Sequence, residues 1–228
     1  MADYDLSDPK QVETYLRNIE TEYSYQCLSE READGCHRLA EFYSTIKRDD
    51  AKGAEIYKQN CDELKYGQSC FSYAAKRVHG KGVDKNPEDG VRYLEKSCEY
   101  GFSKGCSNAG ISYLAGDRVP RDYEKGIKYL NLACDQGRAE PCSTIGSGYL
   151  LGKYGLEKNI KVALNFLEKS CDLGSLTGCI KLSVAYKQGE IVPKNDALAL
   201  KYRERAEKID KFKRGDNSVP SISLGKGG

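Results

Sequence analysis

Ten cysteines recur along this 228-residue chain in close pairs, and the pairs repeat at a nearly constant interval. Their positions are 27 and 36, 61 and 70, 98 and 106, 134 and 142, and 171 and 179, so the first members of successive pairs lie 34, 37, 36 and 37 residues apart. A period of this length marks stacked supersecondary units, each of which buries its apolar face only against its neighbours. It confines the chain to repeat architectures before any single element is assigned.

Aligned on the second cysteine of each pair, the segments read GCHRLAEFYS, SCFSYAAKRV, GCSNAGISYL, PCSTIGSGYL and GCIKLSVAYK. Each runs into a glycine- or charge-rich break such as HGKGVDKNPEDG or AGDRVPRDYEKG. A second segment follows: AEIYKQNCD, VRYLEKSCE, IKYLNLACD, ALNFLEKSCD and finally LKYRERAEK. Both segments place apolar residues at i, i+3, i+4 and i+7, the helical period, and strand-like alternation is absent. Gly101, Gly137 and Gly174 stand where a helix would end in a left-handed cap, and Pro120 and Pro193 fall in the breaks.

The chain is therefore expected to be all-α, a right-handed α/α solenoid of helix-turn-helix repeats. Residues 1–35 form an N-terminal segment with a helix near 9–28 and the first cysteine. Residues 36–210 form five repeats, and 211–228 a flexible tail. Glu207 stands where the cysteine column would continue, which marks the last repeat as a cap.

The cysteines follow from this reading. On one continuous helix Cys98 and Cys106 would lie about 12 Å apart, whereas a disulfide needs Cα atoms within about 7 Å. The glycines break the helix between them, so the second cysteine opens the next, antiparallel helix and the sulfurs face each other across a turn. The expected disulfides are Cys27–Cys36, Cys61–Cys70, Cys98–Cys106, Cys134–Cys142 and Cys171–Cys179. Closing so short a loop stabilises by about 2.5 kcal/mol.

Two other chemistries compete for the same residues. Zinc sites favour C-x₂₋₄-C knuckles; the chain has none, and no metal site is expected. Thiol–disulfide exchange is favoured where a helix dipole lowers a thiol pKa. Cys36, Cys70, Cys106, Cys142 and Cys179 all sit at helix starts, and the sequence selects no pair among them.

Charge and composition exclude several classes. With 36 Lys and Arg against 34 Asp and Glu, nothing electrostatic recommends nucleic acid or an anionic membrane as partner. No apolar run approaches the roughly 18 residues of a spanning helix. The opening MADYDLSDPK, with three aspartates and no apolar stretch, matches neither a signal peptide nor an Arg-rich transit peptide. No nucleophile–base set, paired carboxylates or phosphate loop can be placed, so no catalytic residue is assigned.

Tyr43, Tyr113, Tyr149 and Tyr186 lie seven residues after the second cysteine, and Tyr93, Tyr129 and Phe166 five before the first. Columns at repeat spacing are expected to fill the core between helices, with hydroxyls at its edge. Arg77 replaces tyrosine in its column, within KRVHGKGVDK, which reads as a solvated basic face or a patch for an acidic partner. His37, beside Cys36 at a helix start, is expected as a surface or capping residue, and His79 at a helix end, where a cation suits the dipole.

The YLEKSCE and GCSNAGISYL patterns resemble Sel1-like repeats, relatives of tetratricopeptide repeats, over roughly residues 36–207. With the leading helix and five cysteine pairs, the chain is similar to the cytochrome c oxidase assembly factor 7 family. That resemblance implies residence in the mitochondrial intermembrane space, with import and oxidation by its disulfide relay, where disulfides persist without secretion. It further implies a scaffold for assembly of respiratory complex IV, and of complex I, through contacts with assembly proteins. The same family implies two alternatives: reduction of disulfides in copper chaperones, and haem held by histidine and methionine. Met1, His37 and His79 are the chain's whole supply of those residues, and no cofactor is expected from them. Bacterial cysteine-rich Sel1 proteins share the paired cysteines, and imply a weaker reading as an exported β-lactam-binding protein.

Overall fold

The computed structural model describes residues 4, 5 and 7–215, and among these the chain forms eleven α-helices and no strand. They fall into two compact units, residues 1–136 and 137–228. The first unit holds α1 (Pro9–Leu28), α2 (Ala33–Thr45), α3 (Asp50–Leu64), α4 (Gly67–His79), α5 (Pro87–Glu99), α6 (Ser103–Ala115) and α7 (Tyr123–Asp135). The second holds α8 (Ala139–Leu151), α9 (Ile160–Asp172), α10 (Leu176–Gln188) and α11 (Asp196–Lys213). The expected tail at 211 begins inside α11, and its remainder from 216 onward lies outside the described residues.

After α1 the helices alternate between two kinds of start. α3, α5, α7, α9 and α11 begin at Asp49, Asn86, Asp122, Asn159 and Asn195, whose side chains each accept a hydrogen bond from a first-turn backbone N–H. Such caps satisfy donors that a helix start leaves unpaired. α2, α4, α6 and α8 begin at Glu32, Tyr66, Phe102 and Arg138, none of which caps through its side chain. Their fourth helical residue is instead a cysteine: Cys36, Cys70, Cys106 and Cys142. The cross-link fixes the entry that a cap fixes elsewhere. α10 has both devices, since Ser175 caps it and Cys179 is its fourth residue.

A left-handed residue stands just before each of these five starts: Arg31 (φ 55°), Lys65 (53°), Gly101 (82°), Gly137 (83°) and Gly174 (84°). The three glycines occupy the caps expected of them. In the first two turns a basic residue takes the strained conformation, and the cysteines stand nine rather than eight residues apart.

In three of the five pairs the residue before the first cysteine ties its helix back to the preceding one. The Asn60 amide donates to the Ala33 carbonyl at 2.7 Å, the Ser97 hydroxyl to Gly67 at 2.7 Å, and Ser170 to Ala139 at 2.8 Å. Close approach here explains the Gly-Cys dipeptides. A Cβ on Gly105 would stand 2.4 Å from Ser97 Oγ, and one on Gly178 2.7 Å from Ser170 Oγ.

The aromatic columns stack within their helix pairs: Tyr113 on Tyr129 at 6.1 Å, Tyr149 on Phe166 at 6.0 Å and Tyr186 on Tyr202 at 6.0 Å. Hydroxyls reach carboxylates one repeat back, Tyr129 to Glu95 (3.1 Å) and Tyr202 to Glu168 (3.2 Å). Burial first, and those carboxylates next, push both phenols up to about 12. In the column's exceptional repeat, Arg77 Nε donates to Asp89 at 2.7 Å and its Nη1 to the Asp84 carbonyl at 2.7 Å. Arg77 is therefore an internally paired residue and not a solvated basic face.

Candidate functional site

Two features of this scaffold carry chemistry: the cysteine cross-links and the grooves between successive even-numbered helices. The sulfurs of Cys27 and Cys36 lie 2.08 Å apart, those of Cys61 and Cys70 2.08 Å, of Cys98 and Cys106 2.00 Å, and of Cys171 and Cys179 1.99 Å. Cys134, at the end of α7, and Cys142, in the first turn of α8, are each oxidised as well. Seven of the ten cysteines are fully enclosed and Cys98 retains 6% exposure, while in one pair both members are partly exposed, Cys27 by 9% and Cys36 by 5%. These two also line a cavity of about 130 Å³ with Arg31, Asn60 and Glu63. The structure thus distinguishes one pair where the sequence did not.

The second feature is a pair of equivalent grooves. In the first unit, between α4 and α6, a cavity of about 180 Å³ is lined by Phe71, Ala75, Val78, Asn108 and Arg118 among others. In the second unit, between α8 and α10, a cavity of about 340 Å³ is lined by Ser143, Ser147, Tyr154, Thr177 and Lys181 among others. Counting from the second cysteine, Phe71 and Ser143 occupy the same position, as do Ala75 and Ser147, and Asn108 and Lys181. One backbone register therefore presents an apolar groove in one unit and a hydroxyl-rich groove in the other.

The polar groove is organised around Lys181, which donates to the Ser147 hydroxyl. Ser147 in turn donates to the Ser143 carbonyl at 2.6 Å. With the Ser147 proton committed to that carbonyl, the hydroxyl solvates an ammonium and is not activated as a nucleophile. Burial lowers the Lys181 pKa, and no carboxylate offsets that effect.

His37 corrects the sequence reading. It is 6% exposed, its Nδ1 lies 2.9 Å from Ser69 Oγ, and its ring packs 5.1 Å from Tyr57 and 5.7 Å from Tyr66. It occupies the position of Phe71 and Ser143, one after the cysteine, which points toward the next repeat. Desolvation there lowers its pKa. His79 is the exposed last residue of α4, as expected, and lines the apolar groove. Neither histidine fits haem. One is enclosed by two tyrosines, the other borders a cavity smaller than the roughly 300–1,000 Å³ of a drug-sized ligand site, and Met1 lies outside the described residues. Among the described residues no group of three or more His, Cys, Asp or Glu converges as for a metal ion, and no helix is long and apolar enough to cross a membrane.

Comparisons with known proteins agree with this architecture. The Sel1 repeat family matches residues 33–62, 67–101, 103–137, 145–175 and 177–208. The chain is 39% identical to cytochrome c oxidase assembly factor 7 of Xenopus tropicalis, over 97% of its own length and 98% of that protein's. It is 37% identical to cytochrome c oxidase assembly factor 7A of Xenopus laevis over the same shares. Among solved structures it is similar to a Sel1 repeat protein from Oxalobacter formigenes, with a TM-score of 0.68 at 20% identity over 86% of this chain and 83% of the other. It is also similar to c5321, a protective antigen of uropathogenic Escherichia coli, with a TM-score of 0.74 at 20% identity over 88% and 44%. These two likenesses concern the fold alone, a right-handed α/α solenoid of Sel1 repeats.

Proposed function

The chain belongs to the Sel1-repeat family of cytochrome c oxidase assembly factor 7, and on that premise we propose that it is a protein-binding scaffold for assembly of respiratory complex IV. The observation that carries this is the near-complete, 39% identical alignment to a relative of that name. The scaffold role is supported by what the chain presents: a helical repeat with grooves between its helices. The cross-links suit the mitochondrial intermembrane space, where disulfides persist, and oxidation of five pairs would accompany import through its disulfide relay. Assembly proteins of complex IV are the partners in this reading, with complex I as an extension of it.

The test is depletion in the chain's own cells, reading assembled complexes IV and I on native gels, with rescue by the intact chain. Loss of assembled complex IV restored by rescue is the expected result. Unchanged complex IV contradicts the proposal, and unchanged complex I removes only its extension. Protease accessibility after rupture of the outer membrane tests the compartment.

One observation favours a second reading, reduction of disulfides in copper chaperones. Cys27 and Cys36 border a cavity and are not wholly enclosed. As a dithiol the pair would pass two electrons and two protons to a partner's disulfide and close to the cross-link seen here, with glutathione as a regenerating thiol. Chaperone reduction by the intact chain that persists in Cys27→Ser/Cys36→Ser contradicts this assignment.

A further inference from the structure

We propose that the groove between α8 and α10 binds the free C-terminal carboxylate of an extended peptide, with Lys181 as its counter-ion and Leu151 and Val184 receiving an apolar side chain beside it. The proposal rests on the scaffold reading only in taking a protein segment as the occupant.

Four observations converge. The cavity holds about 340 Å³ and is lined largely by hydroxyls, from Ser143, Thr144, Ser147, Tyr154, Ser175 and Thr177. Its cation is half-buried and bonded to a neutral hydroxyl, with no carboxylate counter-ion among the described residues. Removing an ammonium from water without an anion beside it is unfavourable, and an arriving carboxylate supplies the missing charge through a charge-assisted hydrogen bond.

The third observation is what flanks the cavity. Val184 lies three residues beyond Lys181 on α10, and Leu151 four beyond Ser147 on α8, spacings that share a helix face. Both are exposed, Leu151 by 59% and Val184 by 45%. A polar pocket beside an apolar shelf matches a chain terminus, in which the carboxylate adjoins its own side chain. The fourth is charge count. A single Lys, with the exposed Glu140 also in the lining, suits a singly charged carboxylate better than a phosphate, which favours Arg forks or several donors.

The groove between α4 and α6 argues the same point by contrast. It has Asn108 where Lys181 stands and Phe71 and Ala75 where the serines stand. Its cation, Arg118, is exposed and donates to the Ser112 hydroxyl, so the half-buried ammonium is a feature of the second unit's own residues.

The experiment is a titration of the ¹⁵N-labelled full chain with acetyl-Ala-Leu-Ala-Leu as the free acid and, separately, as the C-terminal amide. Acetate and inorganic phosphate serve as small-anion probes. The free acid is expected to shift backbone amides near 143–147 and 177–181 and to bind at least about tenfold more tightly than the amide, as for a hydrogen bond to a charged group. Lys181→Gln should abolish that preference and Lys181→Arg should retain it, while Leu151→Ser weakens acid and amide alike. A dichroism spectrum of each variant verifies folding. Equal binding of acid and amide, no binding of either at millimolar concentration, or a preference that survives Lys181→Gln overturns the proposal. So does acetate or phosphate binding as tightly as the peptide, which would make this a small-anion pocket. Because the probes are synthetic, any of these results leaves the complex IV depletion experiment standing.

Discussion

The α4/α6 groove and the α8/α10 groove are built on one repeat register, yet one is closed by aromatic and aliphatic contacts and the other is wide and lined with hydroxyls. Phe71 packs edge-on against Phe102 at 5.4 Å, where its counterpart Ser143 leaves space beside Ser147 and Lys181. In both, the parts that hold the helices together are the same: a cross-link at the fourth helical residue and a left-handed residue before the cap. The parts that face the groove differ. In this chain the elements that determine the fold and those that determine recognition occupy different columns of the repeat, so either can change without the other.

The largest effect should strike both regions equally. Cys61→Ser/Cys70→Ser beside the apolar groove, and Cys171→Ser/Cys179→Ser beside the polar one, should each cost about 2.5 kcal/mol in urea unfolding. If one pair can be removed at no cost, the shared-staple half of the comparison fails for that groove.

A smaller, one-sided effect is expected from exchanging the groove residues. Phe71→Ser, which gives the first unit the second unit's residue, should lose about 2 kcal/mol, less than a full core deletion because Phe71 is only partly buried. A neutral result would mean that its contact with Phe102 does not close that groove. Next come the tie-back hydrogen bonds. Ser97→Ala and Ser170→Ala each remove a buried donor from a carbonyl and should each cost about 1 kcal/mol, one in each unit. A twofold disparity between them would show that the two units are not held alike.

The smallest effect is a pH dependence confined to the first unit. The folded pKa of His37 is lowered by burial. As pH falls through the ordinary histidine range near 6.5, the unfolded chain takes a proton that the folded chain resists, so stability should fall. Unfolding at pH 7.5 and 5.5 should show a steeper loss for the native chain than for His37→Asn. Equal slopes would indicate that burial in the folded chain does not hold the imidazole neutral.

Much of the frame is legible from spacing. The cysteine period, the Gly-Cys dipeptides and the Asp or Asn before each odd helix state the repeats and their boundaries, because backbone reversal and close helix approach tolerate few residue types. The first two turns were less legible: Arg31 and Lys65 take the left-handed conformation that glycine signals elsewhere, and only the nine-residue cysteine spacing hints at it. His37 misled because a position one past a helix-start cysteine looks exposed on an isolated helix, and it is the next repeat, bringing Ser69 and Tyr66, that buries it. The grooves could not be read at all until register was fixed, since Ser147 and Lys181 are 34 residues apart in sequence. Aligning the repeats on the second cysteine and comparing columns, as for Arg77, is the signal that could have found them.

A repeat array stapled in this way requires the cysteines to be oxidised in the living cell. The direct test is a free-thiol count on protein taken from its own cells, denatured in acid and treated with a mass-tagged maleimide before and after reduction. Five disulfides should give no tag before reduction and ten after it, one for each cysteine of the chain. Ten tags without reduction would contradict this, leaving a reduced helical repeat protein whose junctions are held by packing alone.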